Sequence, residues 1–371
     1  MARRKVLVIG NYQLDRQQSM LRFAHLLQDI YHNDAVVKLV YPSPVFGSLA
    51  VLPLAVRKYL AYIDKLLIFP IWLLFSVHSY DRIHIADHSN AFYAFFCPRG
   101  RCLVTCHDLL AVRAAFGDSA AACDPSPIGI WLQRLIMAGL GRADAIAFVS
   151  QATFRDFQRL IRFPPRQRHA VIPNPLNAPF TPDLDAFPIS SSENALIPPQ
   201  PFLLMVGSAL PRKNRGLALR LLEQLGPDSP YRLVFAGAPL TEAEQTFHAT
   251  HPLGKRLISI PRPGHGLLNR LYGLAHALVF PSFSEGFGWP LLEAQTCHCP
   301  VIASTTTSIP EVAGTGALFA DPSDAAGFAS HVHALEDPTV RARLIDHGQA
   351  NTRRYDAELI GASYRRFAFQ P

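Results

Sequence analysis

Residues 276–305 read HALVFPSFSEGFGWPLLEAQTCHCPVIAST. A short apolar run, Ala277 to Phe280, stops at Pro281; a turn holding Gly286 and Gly288 follows; Pro290 opens a stretch of good helix formers; and a second apolar run begins at Val301. Short apolar runs bounded by Pro and Gly, with a helix between them, are the pattern of parallel strands buried on both faces. Proline is tolerated in a first helical turn because its missing N–H would be unpaired there anyway. The turn therefore lies at the carboxyl end of a strand and the amino end of a helix. Glycine lets a ligand approach the backbone closely, and a helix amino end suits an anion, so a diphosphate fits there. Glu285 projects from the turn, and Glu293 is expected in the first helical turn, within reach of vicinal hydroxyls.

The same alternation extends through the whole chain. In the first half the runs are KVLVIGNY, AVVKLVYP, DRIHIAD, CLVTCHD, AIAFVS and HAVIPNP; in the second they are FLLMVGS, YRLVFAGA, RLISIPR, HALVFPS, PVIAST and GALFADP. Two doubly wound α/β halves are predicted, and 371 residues exceed what one hydrophobic core usually organises. The intervening NPLNAPFTPDLDAFPISSSENALIPPQ is rich in Pro and Ser and aperiodic, which reads as a connector. The expected domains are residues 1–180 and 201–355, with 181–200 as linker. Ligands of such sheets bind beyond the carboxyl ends of the strands, so the cleft between the halves is the expected site.

Six cysteines without a CxxC spacing fit a reducing compartment. MARRKVLVIGNY reads as a first strand and not as a signal peptide, so a cytoplasmic location is expected. Residues 1–180 carry 20 Lys and Arg against 11 Asp and no Glu, a surplus of nine positive charges; residues 181–371 are then two negative, given the chain's net +7. That asymmetry suits an anionic partner (phosphate, acidic lipid or nucleic acid) or a solvated surface with surplus Arg. No recognised nucleic-acid motif accompanies the charge, and no nucleic-acid partner is expected. The apolar stretch 66–75, LLIFPIWLLF, is too short to span a bilayer. Two readings stand: a core helix broken by Pro70, or a patch seated among anionic headgroups at the inner face of the membrane.

Other candidates lie at strand ends. VGSALPRKNRG places Gly207 at a turn and Arg212 and Lys213 side by side, so that two cations could converge on an anionic leaving group without a metal. VTCHDLLAVR puts His107 and Asp108 just past a first-half strand. The spacing of Cys97, Cys102 and Cys106 beside His107, with His84 and His88, matches no common zinc knuckle, and no metal is expected.

Glu285 and Glu293, seven residues apart within PSFSEGFGWPLLEA, resemble the E-x7-E motif of retaining glycosyltransferases of family 4, which have the two-domain GT-B fold. VGSALPRKN, RLVFAGA, LYGLAHALVFPSFSEGFG, CPVIASTTTSIPEVAGTGALFADPSD, ADAIAFVSQATFRDF and VIPNPLNAPF resemble that family's segments in its order, so the likeness covers most of the chain. It implies that Arg212 and Lys213 contact the donor diphosphate, that Glu293 binds ribose hydroxyls, and that Glu285 binds hydroxyls of the transferred sugar. Backbone amides around Gly286, Phe287 and Gly288 would touch sugar and phosphate, and His107 the sugar's far side. Pro310, Glu311 and Val312 would lie beside the donor pocket, and a helix within 356–371 would return to the first domain.

There is one departure. Relatives often carry a glycine-rich loop after the first strand, whereas GNYQLDRQQSMLRFA has Gly10 alone. Arg16 would substitute as a phosphate contact, or the loop would serve the acceptor, with Asp15 as the following helix's N-cap. The reading is a retaining, metal-independent hexosyltransferase that uses a nucleotide diphosphate sugar, GDP-mannose or a UDP-hexose, and a glycan or lipid-linked acceptor in polysaccharide biosynthesis. A non-catalytic GT-B module that binds nucleotide sugar or anchors a membrane assembly is the alternative.

Overall fold

The computed structural model describes residues 3–15, 17–49, 53–118, 126–160, 166–199 and 201–370. Arg16 lies outside the described residues, as does Cys123. The chain divides into two compact units, one comprising Met1–Asn177 with Ala357–Pro371 and the other Ala178–Asp356.

The first unit is built on six parallel strands: β1 (Arg4–Ile9), β2 (Ala35–Val40), β3 (Arg82–Ile85), β4 (Cys102–Cys106), β5 (Ala145–Phe148) and β6 (Arg168–Val171), in the order β2-β1-β3-β4-β5-β6. Every residue of β4 and β5 is buried, which explains their unbroken apolar sequence. On one face Leu7, Ile85, Val104 and Phe148 pack with Leu140 and Leu73; on the other Val6, Val8 and Leu103 pack with Phe23, Leu27 and Tyr364. Tyr364 comes from the last helix, Ala357–Phe369, which packs on α1 (Gln18–His32). Arg168 donates to the carbonyl of Phe367, 2.9 Å away, and fixes that helix against the sheet edge.

The second unit repeats the plan with β7 (Phe202–Gly207), β8 (Arg232–Gly237), β9 (Leu257–Pro261), β10 (Ala277–Phe280), β11 (Val301–Ser304) and β12 (Ala317–Ala320), in the order β12-β11-β10-β7-β8-β9. All pairings are parallel. Residues 181–200 are not a free-standing linker but belong to this unit. Asn269 Oδ1 accepts from the Thr181 amide at 3.0 Å, Arg270 Nε donates to the Leu184 carbonyl at 2.8 Å, and a Ser190–Glu193 capping box starts a short helix there.

Two local readings change. Asp15 does not cap α1: the helix begins at Gln18, and Asp15 pairs instead with Lys65 at 3.0 Å. Pro70 does not break its helix. Residues α2 (Leu54–Ile63) and α3 (Phe69–Ser76) run continuously through a π turn at Asp64–Ile68, in which the Phe69 amide donates to the Asp64 carbonyl. Widening the helix by one residue just before a proline makes room for a ring that would otherwise clash with the preceding turn.

Candidate functional site

In the second unit the chain lays β7, β8 and β9 outward in one direction, then returns to place β10 on the other side of β7. The loops after β7 and β10 therefore leave the sheet in opposite senses, and a crevice opens between their carboxyl ends, the usual ligand position in such sheets. Gly207 ends β7 at φ 131, a conformation that side-chain-bearing residues rarely adopt, and the chain turns there into Pro211–Lys213. Asn214 follows at φ 56 and donates from its amide nitrogen to the carbonyls of Pro281, 3.0 Å, and Pro322, 2.7 Å. That one side chain ties the β7 loop to the ends of β10 and β12. The Phe283 amide adds a 2.8 Å bond to the Arg212 carbonyl.

The fastening brings Arg212, Lys213 and Glu285 together. Arg212 Nη1 stands 2.7 Å from one carboxylate oxygen of Glu285, and Lys213 Nζ 2.6 Å from the other. Lys213 also lies over the Phe280 ring, 5.2 Å from its centre. Both Lys213 and Glu285 are buried. Burial works against the Glu285 charge, but Lys213 and then Arg212 outweigh it and hold the carboxyl below its usual range. Two cations share one carboxylate, so the trio carries one net positive charge at the mouth of the crevice.

The turn 281–288 is held from beneath. The Glu285 amide donates to Thr307 Oγ1 at 3.0 Å, and Ser308 Oγ donates to the carbonyls of Glu285, 2.9 Å, and Phe287, 3.1 Å. Gly288, at φ 106, turns the chain into the helix Trp289–Thr296, with Pro290 in its opening turn. Glu293 is the fifth residue of this helix, just past the first turn where it was expected, and no acid lies in that turn. It is buried, and Tyr272 donates to its Oε2 at 2.7 Å. Burial, reinforced by the Glu293 charge, drives the Tyr272 hydroxyl well above its usual range and keeps it a donor. Pro310, Glu311 and Val312 fall in the helix Ile309–Ala313 that follows Ser308.

The first unit has its own crevice, between β1 and β3, where the strand order reverses. A buried polar cluster fills it. Asn11 donates to Asp87 at 2.6 Å, Asn90 donates back to Asn11 at 3.1 Å, and His88 Nδ1 stands 2.9 Å from Asp87. Burial opposes both charges, but the ion pair prevails: Asp87 is depressed and His88 raised. His107, at the end of β4, is buried with its ring edge-on to Phe23, and Nε2 donates to the Ala86 carbonyl at 3.0 Å. Desolvation lowers its pKa and favours the neutral ring. Asp108 is more exposed; it accepts from the Leu110 amide at 3.1 Å and lies 3.9 Å from His88 Nε2.

Sequence reasoning missed Asn11, Asp87 and Asn90 in this cluster, and Asn214 and Tyr272 in the other. Asn214 alone carried a signal, since Asn tolerates the left-handed turn that RKN requires between a loop and a helix. Among the described residues, no three His, Cys, Asp or Glu side chains stand close enough to hold a metal ion.

Comparison with known proteins gives the family and the fold. The family described as Glycosyl transferases group 1 matches residues 188–351, and the one described as Glycosyltransferase Family 4 matches residues 32–178. The O-antigen chain mannosyltransferase B of Escherichia coli is 42% identical over 89 residues, 24% of this chain and 23% of that one. The serotype-specific mannosyltransferase WbdA of Escherichia coli is 30% identical over 275 residues, 69% of this chain and 32% of the relative. The matches thus span about a quarter to a third of those relatives' own lengths. Among solved structures, sucrose-phosphate synthase from Thermosynechococcus elongatus superimposes with a TM-score of 0.75 at 19% identity, covering 99% of both chains. Its two-sheet architecture is the GT-B fold, and with both halves matched in order, this chain belongs to the group 1 glycosyltransferases, family 4.

Proposed function

We propose that the protein transfers a hexose from a nucleotide diphosphate sugar to a hydroxyl of a glycan acceptor, with the anomeric configuration retained and with no metal required. The observation that carries this reading is the convergence of Arg212 and Lys213 on the buried Glu285, at the crevice between β7 and β10. Without Glu285, a buried lysine beside an arginine would be too repulsive to hold in place. With it, the pair is preorganised, and its remaining donors can meet a more highly charged anion.

In this reading the donor diphosphate lies against Arg212, Lys213 and the amino end of the helix Trp289–Thr296, with the amides around Gly286, Phe287 and Gly288 at its sugar end. The bond from the anomeric carbon to the phosphate oxygen breaks, and the electron pair leaves with the nucleoside diphosphate. The acceptor hydroxyl attacks from the same face, and its proton passes to the departing phosphate oxygen. Charge grows on that oxygen in the transition state, where fixed cations stabilise it most. Glu293, held by Tyr272, accepts from the ribose hydroxyls; Glu285 meets hydroxyls of the transferred sugar. As the family likeness implies, His107, a neutral ring fixed through Nε2, contacts the transferred sugar, and Asp108 beside it meets a phosphate or the acceptor. Arg16, outside the described residues, remains assigned to a phosphate or to the acceptor.

The two Escherichia coli relatives named as mannosyltransferases favour GDP-mannose as the first donor to try and an O-antigen-type glycan, carried on lipid, as the acceptor. The test is incubation of the purified protein with GDP-mannose, UDP-glucose and UDP-galactose, scoring both thermal stabilisation and release of nucleoside diphosphate. A donor that stabilises the parent protein and turns over, with turnover lost in Arg212→Ala/Lys213→Ala, upholds the proposal. Stabilisation without turnover, with or without a glycan acceptor, leaves a binding module and sinks it.

A further inference from the structure

The continuous helix of residues 54–76 is apolar on both sides. Phe69, Leu73 and Val77 point inward and pack in the first unit's core. On the outside, Val56, Tyr59, Ile63, Leu67, Ile71 and Leu74 recur every three or four residues and are all exposed; Phe75 beside them is 83% exposed. Such spacing forms one stripe, and this length of helix carries it for about 30 Å. Isolated exposed apolar residues need no explanation, whereas a contiguous row does. On the adjoining loop after β2, Val45, Phe46 and Leu49 are exposed as well. Val45 also lines a largely apolar cavity of about 520 Å³ with Phe69, Trp72 and Tyr41.

Charge selects the occupant. Between residues 36 and 80 the sequence has Lys38, Arg57, Lys58 and Lys65 against one carboxylate, Asp64. Asp64 is wholly buried and accepts from Tyr12 Oη at 2.7 Å, the Gly47 amide at 2.9 Å and the Phe46 amide at 3.0 Å. Asp15, which reaches Lys65 from the loop after β1, neutralises one cation. Lys38 is exposed, with Nζ over the Trp72 ring at 5.8 Å. The stripe itself has no hydrogen-bonding group except the Tyr59 hydroxyl, which offers a protein partner little polar specificity. An apolar row flanked by unopposed cations matches an anionic lipid surface.

We infer that this helix seats the protein on an anionic bilayer, lying in the headgroup layer with the stripe immersed and Lys38 at the phosphates. By length and composition residues 59–79 would also suffice to cross a membrane. Their inner face belongs to the core, and the three donors to Asp64 pin the π turn to the loops after β1 and β2, so the helix lies on the surface. Sugar transfer is not needed for this inference.

Flotation of the full chain with vesicles tests it. The parent is expected to float with phosphatidylcholine vesicles containing phosphatidylglycerol, and less with phosphatidylcholine alone. Leu67→Glu/Ile71→Glu/Phe75→Glu alters only exposed positions and should lower partitioning at least about 100-fold, while Lys38→Glu should lower it about fivefold. If the triple variant melts early, Phe75→Ser, at the most exposed position, carries the comparison. A parent that stays with the soluble fraction, or a triple variant that floats equally well, overturns the inference. So does a parent that forms dimers, lost in the triple variant, without floating.

Discussion

Lys213 Nζ and Glu285 Oε1 lie 2.6 Å apart although 72 residues separate them. The contact exists because β7 and β10 are neighbours in the sheet and Asn214 stitches their following loops together. Removing Lys213 therefore acts in two ways. Lys213→Ala should lower turnover about 100-fold, as for other preorganised charge contacts in active sites. It should also cost about 1–3 kcal/mol of stability, because Glu285 stays buried with Arg212 as its remaining cationic partner. A double-mutant cycle with Glu285→Ala should return a coupling of about 1–3 kcal/mol in denaturant unfolding. Additive losses would mean that the two side chains do not meet in solution.

Asn214 allows a cleaner separation of backbone from side chain. Its φ of 56 suits glycine, and its two bonds to the carbonyls of Pro281 and Pro322 do not survive in glycine. Asn214→Gly should lose about 1–3 kcal/mol for the unpaired buried carbonyls. Asn214→Ala should lose roughly 1–2 kcal/mol more than Asn214→Gly, because alanine keeps a Cβ in the left-handed region that glycine removes. Equal losses in urea melts would show that backbone conformation contributes nothing there.

All twelve strands were legible as apolar runs, most sharply in the inner strands β4, β5, β10 and β11, where every residue is buried and sequence and burial coincide. The positions of Arg212, Lys213 and Glu285 after β7 and β10 could be read for the same reason. Their pairing was hidden, since a sequence gives strand ends but not strand order, and the order β10-β7 decides it. Asp87 and Asn11 were invisible singly: each is an ordinary polar residue until β1 and β3 bring them to 2.6 Å. Glu293 was placed inside the first turn and not just past it because the helix starts at Trp289, one residue before Pro290 and immediately after a left-handed Gly288. Within the apolar stretch 66–75, Phe69 is buried and stacks on the half-buried Trp72, with 5.5 Å between ring centres. The periodicity of a helix buried on one side and apolar on both cannot say which aromatics face out.

Tyr272 tests the proposed ribose contact through a residue that itself need not touch the nucleotide. It donates to Glu293 at 2.7 Å and is fully buried. Tyr272→Phe removes one hydrogen bond and keeps the volume, so the carboxylate loses a restraint, at a cost of about 1–2 kcal/mol in stability. If Glu293 holds the ribose, nucleotide Kd and KM should rise roughly 5- to 20-fold with kcat nearly unchanged, the mark of lost ground-state binding. A fall in kcat at constant KM would move Tyr272 and Glu293 from binding to the chemical step.

Acid stability should be set first by a buried histidine of the first unit. His84 is buried between Tyr31 Oη, 2.9 Å from Nδ1, and Thr105 Oγ1, 2.8 Å from Nε2. Burial, with the nearby His107 adding to it, pushes its pKa down from 6.5 to about 3. Below pH 6.5 the unfolded chain takes up a proton that the folded chain refuses, so stability falls as pH drops toward 3, by at most about 1.4 kcal/mol per pH unit for this one group. Glu285, whose folded pKa lies below 4.5, contributes in the same direction but later: its stabilisation is complete above 4.5 and is lost as pH falls through the depressed value. A plot of melting temperature against pH should therefore begin to decline near pH 6.5 and steepen below 4.5. His84→Gln should flatten the decline above pH 4.5 and leave below it only the part due to Glu285, whereas Glu285→Gln should remove the added steepening below 4.5 and leave the earlier decline. A His84→Gln profile that still declines from pH 6.5 would assign the early loss to another buried histidine, with His107, whose pKa is also lowered by burial, the next to replace.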